Sequence, residues 1–159
     1  MRYTLALLSL FIFMGCATTP QLSPQQRRSL QGRTFQDTTM DNVFRAFKTV
    51  LQDEGYVIKN QDMAGGLIVA EIQKTDSGSA FWAALAGSNN YRTGQSFEVS
   101  VNLEAINKST IETRLVCQEK SQMSMGGQQG KEILDPELYK TLYQKVSTEI
   151  ERRKAQGKG

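Results

Sequence analysis

From Ser96 to Ile106, apolar Phe97, Val99, Val101, Leu103 and Ala105 alternate with Glu98, Ser100, Asn102 and Glu104. A period of two puts one set on each face of a β-strand, whereas a helix would scatter both sets around its circumference. One buried face and one wet face is the pattern of an antiparallel sheet. Asn107-Lys108 has the length of a tight hairpin turn. The following run, Ser109 to about Ser121, repeats the alternation, with Ile111, Thr113, Leu115 and Cys117 opposite Thr110, Glu112, Arg114, Val116 and Gln118. A long hairpin is therefore the fixed point around which the remaining chain must pack.

Two helices flank it. Over Thr39 to Glu54, Val43, Phe44, Phe47, Val50 and Leu51 recur at helical spacing, with Gly55 at the position favoured for a left-handed cap. Near the end, Asp135-Pro136-Glu137 is a start signal, and Leu138, Leu142, Val146 and Ile150 follow at intervals of four beside Tyr139 and Tyr143. Tyr56–Lys59 and Leu67–Gln73 read as two strands joined by the turn over 60–66. The predicted class is α+β in the order α-β-β-β-β-α: a four-stranded antiparallel sheet with an N-terminal and a C-terminal helix on one face. A single domain is expected over residues 33–154, with a disordered tail at 155–159. Met123 to Lys131 reads as a flexible loop. Its Gly126-Gly-Gln-Gln-Gly-Lys131 is no phosphate cradle, because Met125 stands where the first glycine should be and Glu132 where Ser or Thr should bind magnesium.

The first fifteen residues follow a different logic. Arg2 precedes the apolar run Leu5–Phe13, interrupted only by Ser9, which Met14-Gly15 separates from Cys16. That is the order of an export signal, and the run is too short to span a bilayer. Residues 17–32, rich in Pro, Gln, Ser and Thr, are expected to form a flexible tether. Phe13-Met14-Gly15-Cys16 resembles the lipobox of bacterial lipoproteins, with Gly15 the small residue before the cut and Phe13 standing where leucine is usual. The resemblance implies cleavage between Gly15 and Cys16, lipidation (palmitate included) of Cys16, and a lipidated tether over 16–32. Ala17, in place of aspartate, resembles lipoproteins sorted to the outer membrane, facing the periplasm.

Composition narrows the chemistry. The chain has no histidine, which removes the commonest general base and metal ligand, and only two cysteines, one of them committed to the anchor. Beyond residue 15 there are 18 basic and 16 acidic residues, too even a balance to argue for nucleic acid. No catalytic residue, metal or cofactor is expected. Cys117, on the apolar side of its strand, reads as a small buried hydrophobe. Glu98, Glu104 and Glu112 read as surface acids, Glu112 in cross-strand ion pairing with Arg114.

The long connection over 77–95, between the second and third strands, holds the only tryptophan in Ala80-Phe-Trp-Ala-Ala-Leu-Ala86. Phe81, Trp82 and Leu85 either cap one end of the core or project as a contact for a partner or the membrane. Arg33-Thr34-Phe35, Leu51-Gln-Asp-Glu-Gly-Tyr56, Gly66-Leu-Ile-Val-Ala70, Ala80–Ala86, Phe97–Leu103 and Asp135-Pro-Glu-Leu-Tyr139 together resemble a family of bacterial envelope lipoproteins whose shared motifs are structural. A looser likeness is to the helix-grip domains of outer-membrane assembly lipoproteins. The resulting expectation is a membrane-anchored, non-catalytic envelope lipoprotein that binds or supports another envelope protein through the sheet's edge or the Phe81–Trp82 insertion. The alternatives are a binder of small ligands or cell-wall fragments, its cleft between helix and sheet and lined by Tyr91, Arg92 and Arg114, and, further off, a carboxylate-dependent hydrolase.

Overall fold

The computed structural model describes residues 22–73, 95–122 and 128–157. Its elements run α1 (Pro24–Gln31), β1 (Gly32–Gln36), α2 (Met40–Asp53), β2 (Val57–Asp62), β3 (Leu67–Gln73), β4 (Gln95–Asn107), β5 (Thr110–Gln122), β6 (Gln128–Ile133) and α3 (Pro136–Ala155). The class is α+β with an antiparallel sheet, but the sheet has six strands, not four.

The predicted hairpin organises that sheet. β4 and β5 pair from Gln95↔Ser121 to Asn107↔Thr110, with a bulge between Ala105 and Asn107. The bulge moves the turn to Lys108-Ser109, where the Asn107 side chain accepts from the Ser109 amide at 2.9 Å, and leaves Ile106 55% exposed. β3 pairs with β4, and β2 with β3 at the margin of the sheet. Gly66 ends the β2–β3 turn in the left-handed region (φ 66°), and its carbonyl accepts from Leu103 N–H at 2.8 Å. A Cβ there would lie 2.1 Å from the Leu103 oxygen, so this close approach requires glycine.

The two additional strands share the other margin. β1 pairs with Thr110–Arg114 and β6 with Cys117–Gln122, end to end along one side of β5. Neither carries a legible pattern. Only Phe35 of β1 is buried, and β6 lies in the Gly- and Gln-rich stretch expected to be a loop, held by main-chain pairing to β5. Pro24–Gln31, expected as the far part of a flexible tether, is a helix. Ser23 caps it in a reciprocal capping box with Gln26, and Pro24 occupies the first turn. Its packing depends on polar bonds at Gln31 more than on an apolar face, and apolar periodicity cannot reveal that. At the other end, α3 reaches Ala155, one residue into the expected tail.

The inward side chains of adjacent strands stand directly opposite one another: Ile68↔Val101, Ala70↔Val99, Val99↔Cys117 and Val101↔Leu115. α2 and α3 pack side by side over this face. Val43, Phe44, Ala46, Phe47, Val50 and Leu51 of α2 are buried with Leu138, Tyr139, Leu142, Tyr143, Val146 and Ile150 of α3. Helices on one face of the sheet are what the patterning predicts. A polar chain also joins the two: Arg153 donates to Asn42 Oδ1 at 3.0 Å, and Asn42 donates to Thr38 at 3.1 Å. Glu149, beside it, accepts both Nε and Nη2 of Arg152, which holds its carboxyl below the usual range. Among the described residues no helix is long and apolar enough to cross a membrane.

Candidate functional site

Buried ionisable groups gather where β1 and β6 meet along β5. The β1 ladder stops at Arg114 and the β6 ladder begins at Cys117, so the margin of β5 is interrupted between them. Two tyrosines one helical turn apart on α3 reach this gap. The Tyr139 hydroxyl accepts from the Cys117 amide at 3.2 Å and donates to the Ile133 carbonyl at 3.0 Å, so it stands between residues that are register partners. The Tyr143 hydroxyl donates to the Gln31 carbonyl at 2.5 Å, tying the end of α1 to α3. Its ring packs edge-on against Phe47 (6.1 Å between centroids, 80°) and lies 6.3 Å from Phe35. The Arg33 guanidinium lies 5.2 Å from the same ring, a cation–π contact.

Gln31 is the hub, fully buried although polar. Arg114 donates to its Oε1 through Nε and Nη2 (3.2 and 3.0 Å), and its Nε2 donates to Glu132, which also receives Arg27 at 3.2 Å. Arg114 thus bonds Gln31 and stands opposite Asn102 on β4, while Glu112 stands opposite Glu104. The expected Glu112–Arg114 cross-strand ion pairing is therefore corrected: both residues lie on β5, and α1 supplies the arginine's partner.

The electrostatics make the gap a structural joint. Burial pushes the Cys117 thiol from 9.0 up to about 12 and the Tyr143 phenol from 10.0 up to about 12, and it raises Tyr139 as well. All three stay protonated at neutral pH. The thiol is an inert hydrophobe in the core, as its strand position predicts. The hydroxyls act as hydrogen-bond links, Tyr139 between the β5 and β6 backbones and Tyr143 between α3 and the end of α1.

The surface acids do not form a cleft. Glu98 pairs with Lys120 across the strands, and Glu104 and Glu112 are exposed. Open grooves are seen among the described residues. One runs along the outside of the helix layer between Val50, Glu54, Lys145 and Glu149, and another lies at the start of α2 beside Asn42, Lys108 and Lys154. Neither lies between helices and sheet. Of the residues singled out in sequence, Gly15, Cys16, Phe81, Trp82, Leu85, Tyr91 and Arg92 lie outside the described residues. Gln31, Glu132 and the two tyrosine hydroxyls were not singled out. The tyrosines did carry a signal, because Tyr where Phe would suffice on a buried helix face implies a polar partner.

No family model and no curated protein matches this chain.

Proposed function

We propose that this protein is a membrane-anchored, non-catalytic envelope lipoprotein that serves as a binding or structural module for another envelope protein. Its anchor would be the lipidated Cys16 and its place the outer membrane, facing the periplasm. One observation carries the choice of module over ligand carrier. Among the described residues, the space between helices and sheet, where a fold of this kind would hold a small molecule, is occupied by buried side chains, among them Phe47, Leu51, Leu115, Leu138, Leu142 and Tyr143, each no more than 2% exposed. Arg114, the described member of the pocket that a ligand binder would need, is committed to Gln31. Contact through a surface then remains, and the outward face of β3–β5 offers one. Half-buried Leu67, Val69 and Val116 lie there among Ser100, Asn102 and Glu104, the mixed character common at interfaces.

Photo-crosslinking in intact cells tests this, with probes at Asn102 on the sheet face, at Thr148 on the helix layer and at position 82. The expected result is a discrete protein adduct from position 102 or 82 and none from 148. An absence of adducts from 102 and 82, with lipidated protein present at normal abundance, would contradict the proposal.

A further inference from the structure

The chain joins the described fold at Leu22, six residues after Cys16. Six residues reach at most about 20 Å when fully extended, so the surface around Leu22 is the part of the domain held nearest to residue 16. That surface is α1 with the β1–β5 margin, and it is rich in arginine. Arg27 is offset by Glu132. Arg28, Arg33 and Arg114 are all exposed. Among the described residues no carboxylate lies within ion-pair distance of these three. Arg114 forks onto the neutral Gln31 side chain and Arg33 lies over the Tyr143 ring. Glu112, two residues from Arg114 on β5, reduces the local charge without pairing.

Three guanidinium groups without a carboxylate partner, Arg28 on α1 and Arg33 and Arg114 on the adjoining β1–β5 margin, lie on the elements that follow Leu22 or pair with them, and they match one surface chemistry. The planar guanidinium fork fits phosphate oxygens, and attraction to an anionic surface acts within about 8 Å at physiological salt. We infer that the α1–β1 margin docks on anionic lipid headgroups and so sets how the domain stands on its membrane; this rests on the reading of Cys16 as the anchor. Two or three acyl chains hold a protein durably without help, so the arginines govern orientation and not retention. With this margin down, β2, at the opposite margin of the sheet, points away from the bilayer.

The test uses the full lipidated protein in vesicles carrying a headgroup spin label, either phosphatidylglycerol with phosphatidylethanolamine or phosphatidylcholine alone. A fluorophore is placed at Ser29→Cys on α1 or at Met63→Cys on the β2–β3 turn, both exposed positions. Strong quenching is expected at position 29 and not at 63, in anionic vesicles only. Each of Arg28→Glu and Arg33→Glu should lower the ratio of docked to undocked protein about fivefold or more. Equal quenching at 29 and 63 in both lipids would overturn the inference and leave the anchor intact. Release of the protein by a salt wash would overturn the anchor and the inference with it. Should the charge-reversed variants fail to fold, the two lipid compositions decide with the arginines unaltered.

Discussion

The hydroxyl of Tyr139 holds a buried amide and a carbonyl that face each other across the β5–β6 margin. Tyr139→Phe would leave the shape intact and strand both groups, so a loss of about 1–3 kcal/mol is expected in urea unfolding. Hydrogen exchange should accelerate first at the Cys117 amide. A stability change below a few tenths would show that the hydroxyl is dispensable. The same cluster sets an alkaline limit. In the unfolded chain the Cys117 thiol would ionise near 9.0 and the Tyr143 phenol near 10.0, whereas in the folded protein both wait until about 12. Above pH 9 the unfolded state therefore binds fewer protons than the native state, and stability falls as pH rises toward 12. Urea midpoints should hold steady from neutral pH to about 9 and then decline, and Cys117→Ala should flatten the first part of that decline. Thiol reagents at neutral pH should modify Cys117 only as fast as the protein unfolds.

At the scale of elements, legibility followed apolar periodicity. β4, β5, α2 and α3 each bury a stripe whose spacing declares its geometry, and their predicted bounds lie within a few residues of those observed. β1, β6 and α1 bury little: one phenylalanine, a main-chain ladder and one glutamine. Hydrogen bonding to distant partners defines them, and a local pattern carries no record of that. The β4–β5 hairpin retains one local conflict, Glu104 directly opposite Glu112. Glu104→Lys turns repulsion into attraction and should stabilise the protein by about 0.2–1 kcal/mol, seen as a raised melting temperature. The β2–β3 turn has no such slack. Gly66→Ala combines left-handed backbone with the collision at Leu103, so it should cost well over the roughly 1–2 kcal/mol of the backbone alone. Gly55→Ala, whose Cβ meets only Ile72 at 3.4 Å, should cost less. Equal losses would show that the Leu103 approach relaxes freely.

Across the whole molecule, the packed helix–sheet layer and the chemistry of the chain support the same account. The buried thiol and phenols are held protonated in a structural joint, which fits the contact role proposed above. The seam around Gln31 also ties α1, the described segment nearest in sequence to residue 16, into the domain through Tyr143, Arg114 and Glu132, so a lipid anchor at Cys16, as proposed, would keep the β1–β6 margin close to its membrane. The site was less legible than the fold. A buried glutamine is recognisable only through its partners, which come from α3, β5 and β6, far apart in the chain. The account depends most on the anchor. Its most direct test is the intact mass and N-terminal peptide of the protein extracted from cell membranes. The account predicts a chain that begins at Cys16 and carries acyl chains on that residue, with Cys16→Ser abolishing both changes. A membrane-extracted chain that keeps residues 1–15, or an unmodified Cys16, would contradict it.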